Sequence, residues 1–321
     1  MRGALLVDKP AGPTSHDIVA VVRRALRTQQ VGHTGTLDPL ATGLLVVLVG
    51  PATRLARFIA ADEKEYLADV RLGIATPTYD AASLPAMIDG RGAMIDVPAA
   101  ADIDAALAHF RGTFMQTPPP FSAKKIAGVP AHEHARNQRR VELRPVEVHV
   151  RELELLQPPA SNLQPPTSSL QPPTSSLLRL RIAASAGFYV RSLAHDLGER
   201  LGCGAHLEAL RRVRAGRFSI SDALPLDTIV NDPETAARRM IPPGDLLDGL
   251  ASARLTPKGV TRAAHGNRIG PEHLAERPQD TEPGRSVRLF DGDELVGVAT
   301  VARDGGLQPV VVLAPVPEVK Y

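Results

Sequence analysis

The 321-residue chain contains one cysteine, Cys203, and no tryptophan. A lone cysteine excludes an internal disulfide and any site built from several thiolates; it suits a reducing compartment, so a cytoplasmic protein is expected. With four tyrosines and seven phenylalanines, rings are too few for a platform that stacks successive bases of a single strand. No apolar run is long enough to cross a bilayer. The opening "MRGALLVDKPAG" breaks at Asp8, Lys9 and Pro10, too early for a signal peptide or a span. A phosphate loop, a glycine-rich dinucleotide fingerprint and a His-Glu zinc motif are all missing. The ten histidines are scattered, and His132 and His134 are too close in sequence to share a helix face. No metal site is expected.

What is present is ample for a core: 43% of residues are hydrophobic, enough for two domains or one large domain with an appendage. The formal net charge of +2 says little, but its distribution says more. From Arg179 to Arg217 there are eight arginines against three acids, and from Lys124 to Arg151 seven bases against three acids. Two basic stretches in a balanced chain point to a polyanion, with folded RNA or a duplex gripped by backbone and shape as the leading class. Solvated helix faces would give the same counts.

"ALLV" (4–7) reads as a strand, and "SHDIVAVVRRALR" as a helix with Ser15 as cap and Ile18, Val21, Val22, Ala25 and Leu26 inward. "LLVVLV" (44–49) reads as a buried strand, and a short helix is expected over 53–60. "EYLADVRLG" alternates, with Tyr66, Ala68, Val70 and Leu72 on one face. A helix is expected around Ile103, Ala106, Leu107 and Phe110, closed by Gly112. "PVEVHVRELEL" and "LLRLRI" are strands able to pair. Between them, 156–176 holds three near-copies of a seven-residue unit, "LQPPASN", "LQPPTSS", "LQPPTSS". Two prolines per unit exclude a continuous helix, so this is a proline-rich loop insertion. "GFYVRSLAHDLGERLG" follows as a helix stopped by Gly202, and "AHLEALRRVRAGRFSI" as a short helix and then a strand. Beyond Gly249, "VRLFDGDELVGVATV" and "PVVVL" make a small β-rich unit. Strands interleaved irregularly with helices give an α+β expectation.

The stretch "GHTGTLDPLATG" (32–43) sets Asp38 among glycines, threonines and a proline just before the apolar run. Residue types alone allow a tight turn, or a stiff loop that presents one carboxylate. The whole set "LLVDKPAGPTSHD", "GHTGTLDPLATGLLVV", "KEYLADVRLG", "TPPPFSAKKIAGVPAHEHAR" and "GFYVRSLAHDLGERLGCGAHLEALRR", in this order over most of residues 3–220, resembles the bacterial tRNA pseudouridine synthases of the TruB family, which modify uridine 55 of the T arm.

That resemblance implies a mixed or antiparallel-sheet catalytic domain over 1–248 and a small PUA-like RNA-binding domain over 249–321. It implies tRNA as the partner, through its T stem-loop, and a monomer with no obligate protein partner. It makes Asp38 the nucleophile, Arg191 the guanidinium that keeps it charged and oriented, and Tyr66 the ring at the target base. His33 resembles the histidine that fills the space left by a flipped base, and Tyr189 and Leu210 resemble positions lining the uracil pocket. Lys9 is a supporting residue beside the nucleophile loop. Lys125 belongs to the segment that closes on the T loop, while Arg211, Arg212 and Arg214 are expected to meet phosphates. Two departures stand out: Phe121 where the family commonly has tyrosine, and His132 in place of an aromatic. The reaction breaks C1′–N1, turns the uracil and joins C1′ to C5, so it needs no redox partner or added group and no cofactor. A carboxylate could engage C1′ or uracil C6, or first remove a sugar proton. An RNA-folding protein with Asp38 incidental, and a base-removing glycosidase, are the competing classes; the second ordinarily wants two carboxylates.

Overall fold

The computed structural model describes residues 1–60, 62–83, 98–121, 125–126, 129–130, 143–156, 177–279 and 282–313. The expected insertion at 156–176 lies outside these except for Leu156, as does His132.

Two strands at the centre are apolar on both faces because both faces are covered. β1 (Gly3–Lys9) pairs antiparallel with β3 (Thr42–Val49), with Leu5 opposite Val47, and the short β2 (Val31–His33) pairs with β3. One face, with Leu5, Val7, Leu45 and Val47, packs on Ile18, Val19 and Val22 of α1 (Ser15–Ala25). The other, with Leu6, Leu44, Val46 and Leu48, enters a second core with Ile59 of α2 (Ala56–Ala60), Phe218, Leu246, Leu295, Val298 and Val311. This double burial is what the uninterrupted run "LLVVLV" encodes.

The sheet continues through β4 (Lys64–Leu72), β5 (Gly112–Gln116), β8 (Val146–Leu156), β9 (Leu177–Ala184) and β10 (Ala205–Ala215). With β11 (Phe218–Ser219) and β12 (Leu224–Pro225), its order is β12-β1-β3-β10-β4-β9-β8-β5, with β11 on β10 and β2 on β3. All pairings are antiparallel except β1 with β12 and β3 with β10. A separate ribbon pairs β6 (Lys125–Ile126) with β7 (Val129–Pro130). The paired strands expected from "PVEVHVRELEL" and "LLRLRI" are β8 and β9. Helices α3 (Ala100–Ala108) and α4 (Val190–Arg200) cover the apolar face of this half. Two short helices, α5 (Leu226–Asn231) and α6 (Pro233–Arg238), lead toward a second sheet of β13 (Ala251–Leu255), β14 (Leu274–Glu276), β15 (Ser286–Asp291), β16 (Glu294–Val301) and β17 (Leu307–Val312). This sheet carries α7 (Pro257–Ala264) and its own core. The second core around Leu295 and Val311 joins the two sheets across residues 248 and 249.

Two expectations are corrected. The cap of α1 is Thr14, whose hydroxyl accepts the Asp17 N–H at 3.1 Å while Asp17 accepts back from Thr14, a reciprocal capping box. Ser15 is turned away to another task. The stretch "AHLEALRRVRA" is one strand, β10, and not a short helix. Its register slips between Leu207 and Ala209 and between Arg212 and Arg214. Each bulge spaces successive inward residues by three, Leu207 to Leu210 and Arg212 to Ala215, which imitates helical periodicity.

Where β3 and β10 run parallel, Gly43 has φ +100°, and a Cβ there would lie 2.3 Å from the Arg212 carbonyl oxygen. Gly112 has φ +78° with nothing within 4 Å of an added Cβ. Gly43→Ala is therefore expected to cost about 2 kcal/mol or more, against about 1 kcal/mol for Gly112→Ala, in urea unfolding midpoints.

Candidate active site

The loop between β2 and β3 is tied down from four directions. From β1, the fully buried Lys9 ammonium donates to the carbonyls of Ala41 at 2.7 Å, Pro39 at 3.3 Å and Pro10 at 2.9 Å. From α1, the Ser15 hydroxyl donates to the Leu37 carbonyl at 3.1 Å and accepts the Leu37 N–H at 2.9 Å. From β10, Arg212 Nη2 donates to the Gly35 carbonyl at 3.1 Å, while its Nε donates to that of Leu44 at 2.7 Å. The Gly12 N–H donates to Pro39 at 2.8 Å, and the Ala41 N–H closes the turn on Asp38 at 3.0 Å. The loop is both a turn and a mount: its Leu37 and Ala41 amides are hydrogen-bonded, and the Asp38 side chain remains one-third exposed.

That carboxylate faces Arg191, on the first turn of α4, whose side chain is only 6% exposed. Nη2 donates to Asp38 Oδ1 at 3.1 Å; Nε lies 2.8 Å from Oδ2 in ionic contact, without the alignment of a hydrogen bond. The same guanidinium donates to the carbonyls of Thr78 at 3.1 Å and Phe121 at 3.0 Å, and lies 3.5 Å from the carboxylate of Asp80. Phenylalanine at 121 leaves this contact intact, since it comes from the backbone. The start of α4 is fixed by Gln116 at the end of β5: its side chain accepts the Tyr189 N–H at 2.8 Å and donates to the Tyr189 carbonyl at 3.0 Å. Gln116 thereby satisfies an amide at a helix start that has no side-chain cap of its own.

Burial pushes the Asp38 carboxyl above the usual carboxylate range; the Arg191 charge opposes this, the Asp80 charge adds to it, and the Arg191 hydrogen bond and the Lys9 charge oppose it. The guanidinium thus orients the acid but does not cancel its desolvation. Burial also pulls the Lys9 ammonium down to about 8, with Asp38 raising it and Arg212 lowering it further.

Asp38 and Arg191 line a cavity of about 240 Å³ together with Tyr66, Tyr189, Leu210, Lys64, Phe188 and Arg212. Tyr66 shares its strand face with Ala68 and Val70 and packs against the core, as the alternation predicts. Leu210 reaches the cavity from a strand, and Tyr189 stands at the N-cap of α4. His33 is not among the lining residues; it sits on β2 beside the loop, edge-on to His16 with ring centroids 5.4 Å apart. The Lys125 side chain lies outside the described residues.

The arginines expected at phosphates are otherwise engaged. Arg212 is 3% exposed and bonded to the loop. Arg211 pairs with Asp8 at 2.8 Å, and Arg214 with Glu63 and Glu65, each at 3.0 Å. Arg179 pairs with Asp69 at 2.6 Å, Arg181 with Glu65 at 2.7 Å, and Arg217 with Asp248. The basic stretch is therefore largely compensated by acids distant in sequence. Asp80, Thr78, Gln116 and Lys64 were not singled out from the sequence. Only Asp80 carried a signal, as a lone acid after "TPTY" in a polar loop.

The chain matches the family model described as TruB family pseudouridylate synthase (N terminal domain) over residues 23–190, and that described as tRNA pseudouridylate synthase B C-terminal domain over 191–247. It is 38% identical to tRNA pseudouridine synthase B of Solibacter usitatus, covering 98% of this chain and 100% of the relative. It is 40% identical to the protein of that name from Thermobifida fusca, covering 97% and 98%. Among solved structures, that of a Cbf5-Nop10-Gar1 complex aligns over 98% of this chain and 85% of the other with a TM-score of 0.69 at 24% identity, a likeness of fold.

Two outcomes follow from the loop and its charges. Lys9→Met should leave the Ala41 carbonyl without this donor and Pro39 with the Gly12 N–H alone, and let Asp38 drift, lowering kcat by about 10²-fold with little change in KM in steady-state assays. The folded Asp38 pKa lies above its ordinary 3.8, so the stability of the neutral form is complete below that value and is lost as pH rises through the folded pKa. Asp38→Asn should accordingly be more stable than the wild type at neutral pH, with the advantage shrinking in mild acid, as read by denaturant unfolding.

Proposed function

The chain belongs to the TruB family of pseudouridylate synthases, and from that premise we propose that it isomerises uridine 55 in the T loop of tRNA, with Asp38 as nucleophile on a flipped-out base. It is an RNA pseudouridine synthase, an isomerase. The observation that carries the finer reading is one carboxylate, held by a nearly buried guanidinium, on the wall of a cavity that two phenols and an aliphatic side chain also line.

A base stacked in a folded loop cannot offer C1′ or C6 to a side chain, so extrusion costing a few kcal/mol precedes chemistry. Tyr66 and Tyr189 then give the uracil apolar faces and Leu210 closes its edge. Tyr66 also brings a hydroxyl able to move the C5 proton, which ends on N1 in the product. Asp38 must be ionised to attack, and Arg191 supplies both its counter-charge and its aim. Bond breaking at C1′–N1 and bond making at C1′–C5 balance without an external group.

His33 is proposed to occupy the space the base vacates. Burial, then the charges of His16 and Arg212, lower its pKa below 6.5, so the ring is neutral at physiological pH. A neutral ring can enter a base stack without bringing a charge into it. Lys9 acts through the loop, as a positioning residue. The C-terminal sheet is proposed as an additional, PUA-like RNA contact. The protein is proposed to act as a monomer, whereas the similar Cbf5 structure is that of a Cbf5-Nop10-Gar1 complex.

The second acid that a glycosidase would want is present as Asp80, but it is 5% exposed and absent from the cavity lining. It accepts from the Thr78 hydroxyl at 2.6 Å and the Ala82 N–H at 3.1 Å, so it is committed to the protein.

The test is pseudouridine mapping in unmodified tRNA incubated with wild-type protein or Asp38→Asn. Product is expected at position 55 with the wild type and none with the variant, at comparable RNA affinity. Substantial turnover by Asp38→Asn, or a wild type that modifies a different uridine, would end this reading.

A further inference from the structure

Tyr79 has a φ of +63°, in the left-handed region that a bulky side chain rarely adopts, and it does not follow a helix, where such a conformation commonly ends the last turn. A residue stays in such a state only when its surroundings over-determine it. The surroundings are visible. The Tyr79 N–H donates to Thr76 at 3.1 Å, and its carbonyl accepts the Leu207 N–H of β10 at 2.9 Å. Its ring lies flat on that of His195, with centroids 3.8 Å apart and planes 6° from parallel.

His195 stands four residues after Arg191 on α4, so the two side chains leave the same helix face one turn apart. Both hold the same short turn. Arg191 takes the Thr78 carbonyl at 3.1 Å and the Asp80 carboxylate at 3.5 Å; His195 takes the ring of the residue between them. The His195 Nδ1 is buried with no hydrogen-bond partner among the described residues, and the ring meets the turn through the stack. Burial, and then the charges of Asp196 and Glu199, push the Tyr79 phenol up, so it faces His195 as a neutral ring.

We propose that the Tyr79–His195 stack is the clamp that seats the Thr78–Asp80 turn on Arg191, making both rings positioning residues for the reaction at Asp38. The inference rests on the proposed role of Asp38. Without the stack nothing fixes residue 79 at positive φ: a non-glycine residue relaxes to negative φ and a glycine samples both signs, and either swings the Thr78 carbonyl and the Asp80 carboxylate away from the guanidinium. Arg191 then loses two of its fixed points and Asp38 its fixed partner. Neither ring needs to touch the RNA.

Glycine at 79 separates positioning from folding, because it takes the observed φ without a steric cost while removing the ring. Tyr79→Gly and His195→Ala are expected to lower kcat by about 10-fold to 10²-fold with KM for tRNA and melting temperature held. Tyr79→Phe, which keeps the stack, should recover kcat, and the double variant should be no worse than either single one. Wild-type kcat in Tyr79→Gly, or a kcat loss matched by a fall in melting temperature or not recovered by phenylalanine, would overturn the clamp while leaving the Asp38 reading intact. A wild type that forms no pseudouridine would remove the Asp38 reading and this inference together.

Discussion

A guanidinium shared between two carboxylates and two backbone carbonyls, with 6% of its side chain exposed, has nowhere else to be. Everything at the site is arranged around that fact. Arg191 is too buried to be left unpaired, and Asp80 and the two carbonyls remain to it when Asp38 is neutral. The pairing is nevertheless not strong enough to bring Asp38 below its ordinary pKa. Asp80 competes for the same cation and adds to desolvation, which together outweigh the Arg191 and Lys9 charges. The site thus holds its carboxylate in a state that is costly for the fold.

The scaffold follows from that demand. A carboxylate is aimed only as well as its loop is fixed, and the Asp38 loop is fixed by groups from β1, α1 and β10, elements whose own positions are set by burial on both faces of the sheet. Lys9 illustrates the exchange. An ammonium is carried into the interior, where burial pulls it down to about 8, and there it donates to three carbonyls, of which that of Ala41 is buried. Gln116 does the same for the first turn of α4, so that the cation and the anion are mounted on independent rigid parts that meet at 2.8 Å.

Charge elsewhere on the sheet behaves differently. The wet face of β4, β9 and β10 is laced with arginine–carboxylate pairs that join half-exposed guanidiniums to mostly buried acids. Their consequence is for recognition: arginines that look like a polyanion footprint in the linear count already have partners in the fold.

Local sequence determined a good deal. Alternation placed Tyr66 on the core face of its strand, the run "LLVVLV" announced a doubly buried strand, and the setting of Asp38 among glycines and a proline announced a mount or a turn, since such residues have few conformations open to them. The motif set carried Arg191 and Tyr66 to the same site 125 residues apart, through resemblance and not through any property of either residue alone. Only the tertiary structure decided the rest. Two bulges hid β10 behind helix-like spacing; Ser15 left the cap to Thr14 because Leu37 offered it two bonds; and Asp80 joined the site because β10 and α4 bring its turn onto Arg191. Pairing between distant charges, the desolvation of Asp38 and Lys9, and the strained Tyr79 all depend on what lies across space. None of these is a property of neighbours along the chain.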